Sequence, residues 1–78
     1  MTQEEIDNAA VDKLAAAMKE KLAKQRAKGY HGWETCEEVR LQKLLYAHVD
    51  KGDPVDVANF CAFLLSLGFS TCAKGGPR

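Results

Sequence analysis

The sequence predicts an all-α protein, a three-helix antiparallel bundle that is completed by homodimerisation through its third helix. Start and stop signals divide residues 1–68 into three helical segments, and no stretch shows the alternating apolar and polar pattern of a strand. The third segment is apolar on nearly every side. A chain of 78 residues forms one domain with a small core, so association with another chain is the expected source of further stability.

The first helix is predicted over residues 3–28. Thr2 and Glu5 have the spacing of a capping box, and Gly29 suits the left-handed residue that ends a helix. An alanine-rich apolar stripe follows at intervals of four residues: Ile6, Ala10, Leu14, Met18 and Leu22. This narrow stripe predicts a helix that lies close against a neighbour.

The second helix is predicted over residues 36–50, after a second capping box formed by Thr35 and Glu38. Its apolar positions form one face: Val39, Leu41, Leu44, Leu45 and Val49. This pattern is typical of an amphipathic helix that packs on one side.

The third helix is predicted over residues 54–67. Asp53 is a favourable N-cap, Pro54 suits the first helical position, and Gly68 provides the stop. A helix that is hydrophobic all round is a buried helix, and two amphipathic neighbours leave part of it uncovered. We therefore expect a second copy of the chain to pack on it, through the following residues: Phe60, Phe63, Leu64 and Leu67.

The ends of the chain carry two further expectations. The acidic start lacks the basic and apolar regions of a secretory signal, and no apolar run reaches the ~20 residues of a membrane-spanning helix. These features predict a cytoplasmic protein that does not enter a membrane. Residues 69–78 are expected to form a flexible tail.

Charge suggests one candidate contact surface. Eleven basic and eleven acidic residues balance, which argues against a general nucleic-acid coat protein. Basic and aromatic side chains nevertheless gather around the end of the first helix: Lys21, Lys24, Arg26, Lys28, Tyr30 and His31. They suit an acidic partner or a phosphate, although basic residues at a helix C-terminus also simply complement the helix dipole.

Residues 22–67 resemble the phage and bacterial MazG-like proteins, which are all-α nucleotide pyrophosphohydrolases. The resemblance rests on a basic helix end, a G-x-x-G-W sequence, a leucine-rich amphipathic helix and "DVANF" before an apolar run. It implies a phage or prophage origin and an oligomeric helical protein. In that family, acidic pairs on two helices hold the magnesium that activates water for attack on a phosphate.

The metal-binding carboxylates expected from this resemblance are depleted. Asp53 and Asp56 match the second acidic pair with aspartate in place of glutamate, whereas only Asp50 remains of the first pair. Asn59 follows one turn after Asp56 and could bind a base or ribose. Helix capping by Asp53 and Asp56 is the competing interpretation.

The leading hypothesis is a non-enzymatic binding protein without a cofactor, an accessory or inhibitor that acts on a host protein. The alternative is a minimal or degenerate MazG-like enzyme or nucleotide-binding protein that uses Mg²⁺ and the set Asp50, Asp53, Asp56 and Asn59. A helix-turn-helix DNA reader is rejected, because the third helix would present leucine and phenylalanine to the groove of the DNA.

Overall fold

The computed structural model describes residues 1–72, which form an all-α three-helix bundle. Helix α1 spans Gln3–Ala27, α2 spans Glu38–Lys51 and α3 spans Pro54–Ser66. A short 3-10 turn, Trp33–Thr35, lies between α1 and α2. The predicted fold class is therefore confirmed, with helix ends within two residues of those expected.

Helix α1 begins with the predicted capping box. The Glu5 amide donates to Thr2 Oγ1 at 3.1 Å, and the Thr2 amide donates to Glu5 Oε1 at the same distance. Two amides that have no partner within the helix are thereby satisfied. The chain leaves the helix through Gly29, whose positive φ of 92° is accessible to glycine.

Helix α2 does not begin as predicted, because Thr35 and Glu38 form no capping box. The N-cap is Glu37, and its side chain makes no capping hydrogen bond. Thr35 Oγ1 instead donates to the Gly32 carbonyl within the 3-10 turn, at 3.0 Å. Glu38 Oε2 accepts a hydrogen bond from the Ser70 amide at 2.9 Å. A local contact thus uses Thr35, a tertiary contact uses Glu38, and the helix starts two residues later than predicted.

The turn between α2 and α3 follows the sequence prediction closely. Gly52 ends α2 with a φ of 81°, and Asp53 Oδ1 accepts a hydrogen bond from the Val55 amide at 2.9 Å. Pro54 occupies the first turn of α3. These local signals fix the reversal of the chain between the two helices.

Helix α3 is the central element of the bundle, since it packs against both α1 and α2, whereas α1 and α2 barely touch. The buried core consists of Leu41 and Leu45 of α2 together with Phe63 and Leu64 of α3. Half-buried side chains pack around it, including Leu22 of α1. Because both outer helices rest on α3, a gap opens between them.

The residues of the predicted dimer interface mostly face the chain's own core. Phe63 and Leu64 are 8% and 1% exposed, while Phe60 and Leu67 are half-buried against the same cluster. Helix α2 covers this side of α3, so a single copy already buries it. The apolar residue of α3 that stays in solvent is Leu65, at 81% exposure. Dimerisation itself stays a prediction, but Phe63 and Leu64 are not on the outer surface of α3.

Residues 69–72 run back along α2, although the sequence predicts a flexible tail from residue 69. Phe69 packs against the core, and Gln42 Nε2 donates to the carbonyls of Ser70 and Cys72, at 2.7 and 3.1 Å. The Tyr46 hydroxyl donates to the Thr71 carbonyl. The remainder of the predicted tail, 73–78, lies outside the described residues.

Within residues 1–72, no helix combines the length and the apolar character needed to cross a bilayer. The three cysteines, Cys36, Cys61 and Cys72, are free thiols.

Candidate functional site

A groove of about 830 Å³ lies between the C-terminal half of α1 and α2, with α3 as its floor. We call it the α1–α2 groove. It exists because both helices rest on α3 without closing on each other. Its volume falls in the range of roughly 300–1,000 Å³ that is usual for ligand sites.

Aromatic rings form a continuous floor in this groove. Trp33 stacks on Phe63 with ring centroids 4.4 Å apart and an interplanar angle of 8°. Phe60 meets Phe63 edge to face at 5.6 Å, and His48 stacks on Phe60 at 4.9 Å. The floor therefore offers apolar area and flat ring surfaces on which an aromatic or aliphatic group can pack.

Basic side chains outnumber acidic ones in the lining of the groove, in which Glu34 and Asp56 are the two carboxylates. Five of the six side chains of the predicted contact surface line its rim: Lys21, Arg26, Lys28, Tyr30 and His31. Arg40 of α2 adds a further cation from the opposite wall. Lys24 is the exception, because it pairs with Glu20 along α1 at 3.3 Å and does not line the groove.

A small charged cluster lies where α1 crosses the start of α3. Lys21 Nζ is 3.4 Å from Asp56 Oδ1 and 3.8 Å from Asp53 Oδ2. His48 Nδ1 is 3.6 Å from Asp56 Oδ2, which is beyond hydrogen-bonding distance. Lys21 is thus largely neutralised by aspartates, and the unpaired positive charge of the rim comes from its other members.

Asn59 is buried at the same end of the groove, at 3% exposure. Its Nδ2 donates to the Met18 carbonyl at 3.4 Å, which ties α3 to α1. Its Oδ1 is buried without a hydrogen-bond partner. An unsatisfied buried acceptor is costly, so this oxygen is a candidate contact for a ligand donor if the side chain turns towards the groove.

Of the aspartates proposed for magnesium, Asp53 and Asp56 lie together around Lys21, and Asp50 does not join them. Asp53 caps α3, and the hydrogen bond from the Val55 amide, helped by Lys21, lowers the pKa of its carboxyl despite some desolvation. Asp56 faces Lys21 and His48, and Asp50 lies exposed in the last turn of α2 outside the groove. Among residues 1–72, no group of three or more His, Cys, Asp or Glu side chains is placed to hold a metal ion. The arrangement gives the magnesium hypothesis no support.

Sequence reasoning missed the floor of the groove. Phe60 and Phe63 were expected at a dimer interface, and neither Arg40 nor His48 was expected beside the basic helix end. The meeting of His48 with Asp56 depends on how α2 packs on α3, and no local spacing encodes it. Trp33 carried a signal in the "GW" sequence, since it follows Gly32 directly and lies just before the second helix.

Comparisons with protein-family models, with curated proteins and with solved structures found no match to this chain. The MazG-like resemblance therefore rests on the quoted residues alone and stays a prediction.

Proposed function

We propose that this protein is a non-enzymatic binding protein and that the α1–α2 groove holds an acidic partner. The observation that carries the proposal is the convergence of Lys21, Arg26, Lys28, Tyr30 and His31 on one groove with an aromatic floor. A basic rim around an apolar floor complements an amphipathic acidic surface, whose apolar residues meet Trp33 and Phe60 while its carboxylates meet the rim.

We propose further that the acidic partner is a host protein, towards which this protein has an accessory or inhibitory role. The phage-type resemblance supports this choice of partner. The two aspartates at the start of α3 support binding rather than catalysis, because both have structural partners. Asp53 caps α3, and Asp56 faces Lys21 and His48.

The proposal is tested with a synthetic acidic peptide that forms an amphipathic helix, with leucines on one face and glutamates on the other. Trp33 is the only tryptophan of the chain and lies in the groove, so its fluorescence reports occupancy. We expect a saturable change with the peptide. Reversing two rim charges in the double variant Arg26→Glu/Lys28→Glu should weaken binding by roughly tenfold or more at low salt.

The matched control is Lys19→Glu/Lys24→Glu, because it also reverses two exposed charges and both lie on α1 outside the groove. Its affinity for the peptide should stay close to that of the wild type. Equal loss in this control and in Arg26→Glu/Lys28→Glu would mean that only the overall charge attracts the peptide, and the proposed site would be rejected.

A nucleotide ligand is the second candidate, favoured by the unsatisfied Oδ1 of Asn59, a groove residue, and by the stacked rings. The amino group of a base could donate to this oxygen, and phosphates would meet Arg26 and Lys28 on the rim. This candidate includes the minimal MazG-like pyrophosphohydrolase that uses Mg²⁺.

The same titration distinguishes the candidates when ATP, with and without Mg²⁺, replaces the peptide. Phosphate or pyrophosphate release that Asp56→Ala abolishes favours the enzyme. A saturable response without release favours a nucleotide-binding protein. A response to the peptide and none to ATP supports the acidic partner.

A further inference from the structure

Among residues 1–72, nothing covers the N-terminal half of α1. Residues 1–14 are all exposed, and Ile6, Val11 and Leu14 are 46%, 64% and 38% exposed. The apolar stripe to which Ile6 and Leu14 belong continues along the helix to Met18 and Leu22, which are half-buried in the bundle. The bundle therefore covers the C-terminal part of the stripe and leaves its N-terminal part in solvent.

The two halves of α1 carry opposite charge. Residues 1–14 contain Lys13 and four acidic side chains: Glu4, Glu5, Asp7 and Asp12. Residues 15–28 contain Glu20 and five basic side chains: Lys19, Lys21, Lys24, Arg26 and Lys28. Two such helices placed antiparallel are complementary along their whole length, since each acidic half meets the basic half of the other.

The α1–α2 groove supplies the matching surface. It borders the basic half of α1, its rim is basic and its floor is apolar and aromatic. The exposed half of α1 is acidic and carries large apolar side chains. Charge and apolar character thus complement each other between two parts of the same chain that do not meet within one copy.

We infer that the α1–α2 groove is occupied by the acidic N-terminal half of α1 from a second copy, in a two-fold symmetric dimer. The two-fold axis passes near the middle of α1, so the same contact is made twice. A segment of about twelve helical residues is about 18 Å long, and the part of α2 that lines the groove, from Arg40 to His48, is about 14 Å long, so most of the segment fits along it. The inference rests on the proposed function, because it uses the same groove and the same acidic chemistry.

This dimer differs from the one that the apolar character of α3 predicts. Its interface is built from α1 and the groove, and it leaves Phe63 and Leu64 in the core of each copy. An acidic partner from outside would compete with the second copy, so such a partner would convert dimers into complexes of single copies.

Charge reversal on either side of the interface tests the inference. Asp7→Lys/Asp12→Lys makes the exposed half of α1 basic and leaves the Thr2–Glu5 capping box intact. Arg26→Glu/Lys28→Glu makes the rim acidic. We expect the wild type to sediment as a dimer at low salt and each double variant as a folded monomer. An equimolar mixture of the two variants should form a heterodimer, because opposite charges then meet again at both contacts.

Two controls separate this outcome from lost structure and from general charge effects. Circular dichroism should show unchanged helicity in both variants, since all four substituted side chains are exposed. Lys24→Glu lies outside the groove and should remain dimeric.

A monomeric wild type would overturn the inference, as would a dimer that survives both charge reversals.

Failure of the proposed function gives a different result in the peptide titration. The monomeric Asp7→Lys/Asp12→Lys variant has an intact groove, so the acidic peptide should bind it and change Trp33 fluorescence. A charge-dependent dimer that does not bind the peptide would reject the proposed acidic partner and would support the inferred self-association. A monomeric wild type that binds the peptide would reject the inferred dimer and would support the acidic partner.

Discussion

Asn59 is the residue at which stability and function most plainly conflict. It lies in the middle of the apolar helix α3, it is 3% exposed, and its Oδ1 has no hydrogen-bond partner. Its single contact through Nδ2, with the Met18 carbonyl, is long at 3.4 Å. An apolar residue of similar size would avoid the cost of the buried acceptor, so folding alone does not explain an asparagine here.

We predict that Asn59→Leu raises the free energy of unfolding by about 1 kcal/mol, because it removes an unsatisfied acceptor and loses only a weak bond. Urea denaturation measures the change. The same variant should lose any response to ATP that depends on the amide, while Arg26 and Lys28 still attract an acidic peptide.

Asn59→Asp is the comparison for this prediction. It has nearly the same shape and introduces a charge into a buried position, so it should destabilise the fold. A loss of stability in Asn59→Leu as large as that in Asn59→Asp would show that the amide is structural, through the bond that ties α3 to α1.

At the scale of elements, α2 packs against α3 on one side and against residues 69–72 on another. Its leucines face α3, while Gln42, which is 4% exposed, holds the segment 69–72 through two carbonyls. Glu38 accepts the Ser70 amide from the same segment. Residues 69–72, which we call the strap, thus lie along α2, and their backbone groups form hydrogen bonds with side chains of that helix.

We predict that Gln42→Ala destabilises the protein by about 1–3 kcal/mol, because two carbonyls lose a buried donor. Amide hydrogen exchange should become faster at Ser70 and Cys72, and the amides in the middle of α1 should change little in relative protection. Lys43→Ala is the control, since it removes an exposed neighbour on the same helix. Equal effects of the two substitutions would mean that the loss comes from α2 and not from the strap.

At the scale of the whole molecule, the core is small, and adjacent residues of α3 differ greatly in their exposure to solvent. Leu64 is 1% exposed in the centre of the core, and Leu65, next to it, is 81% exposed. A single chain with so few buried side chains depends strongly on each of them.

We predict that Leu64→Ala costs about 3 kcal/mol of folding free energy, because it leaves a cavity between α2 and α3. Leu65→Ala should change stability by about 0.5 kcal/mol or less. Thermal melts of the two variants at several protein concentrations measure the difference. A large and concentration-dependent loss in Leu65→Ala would mean that another chain covers the outer side of α3, in place of the α1 contact that we infer.

The sequence predicted the three helices well, because their signals are local. The Thr2–Glu5 capping box, the turn at Gly52–Pro54 and the glycine stops act over three or four residues, and each was found where expected. The basic helix end was also visible, since five of its six named side chains line the groove. Thr35 and Glu38 have the same spacing as the first capping box, yet Thr35 bonds Gly32 in the 3-10 turn and Glu38 bonds the distant Ser70.

By itself, the sequence determined the fold class, the order of the helices and the charge of the surface, because local hydrogen bonds and the periodicity of apolar residues encode them. Only the tertiary structure decided that α1 and α2 stand apart on α3 and leave a groove between them. It alone brought His48 to Asp56, left Asn59 Oδ1 without a partner and placed Phe63 in the core. The physical reason is that these features depend on how three helices share one small apolar core, and residues far apart in the chain settle that packing together.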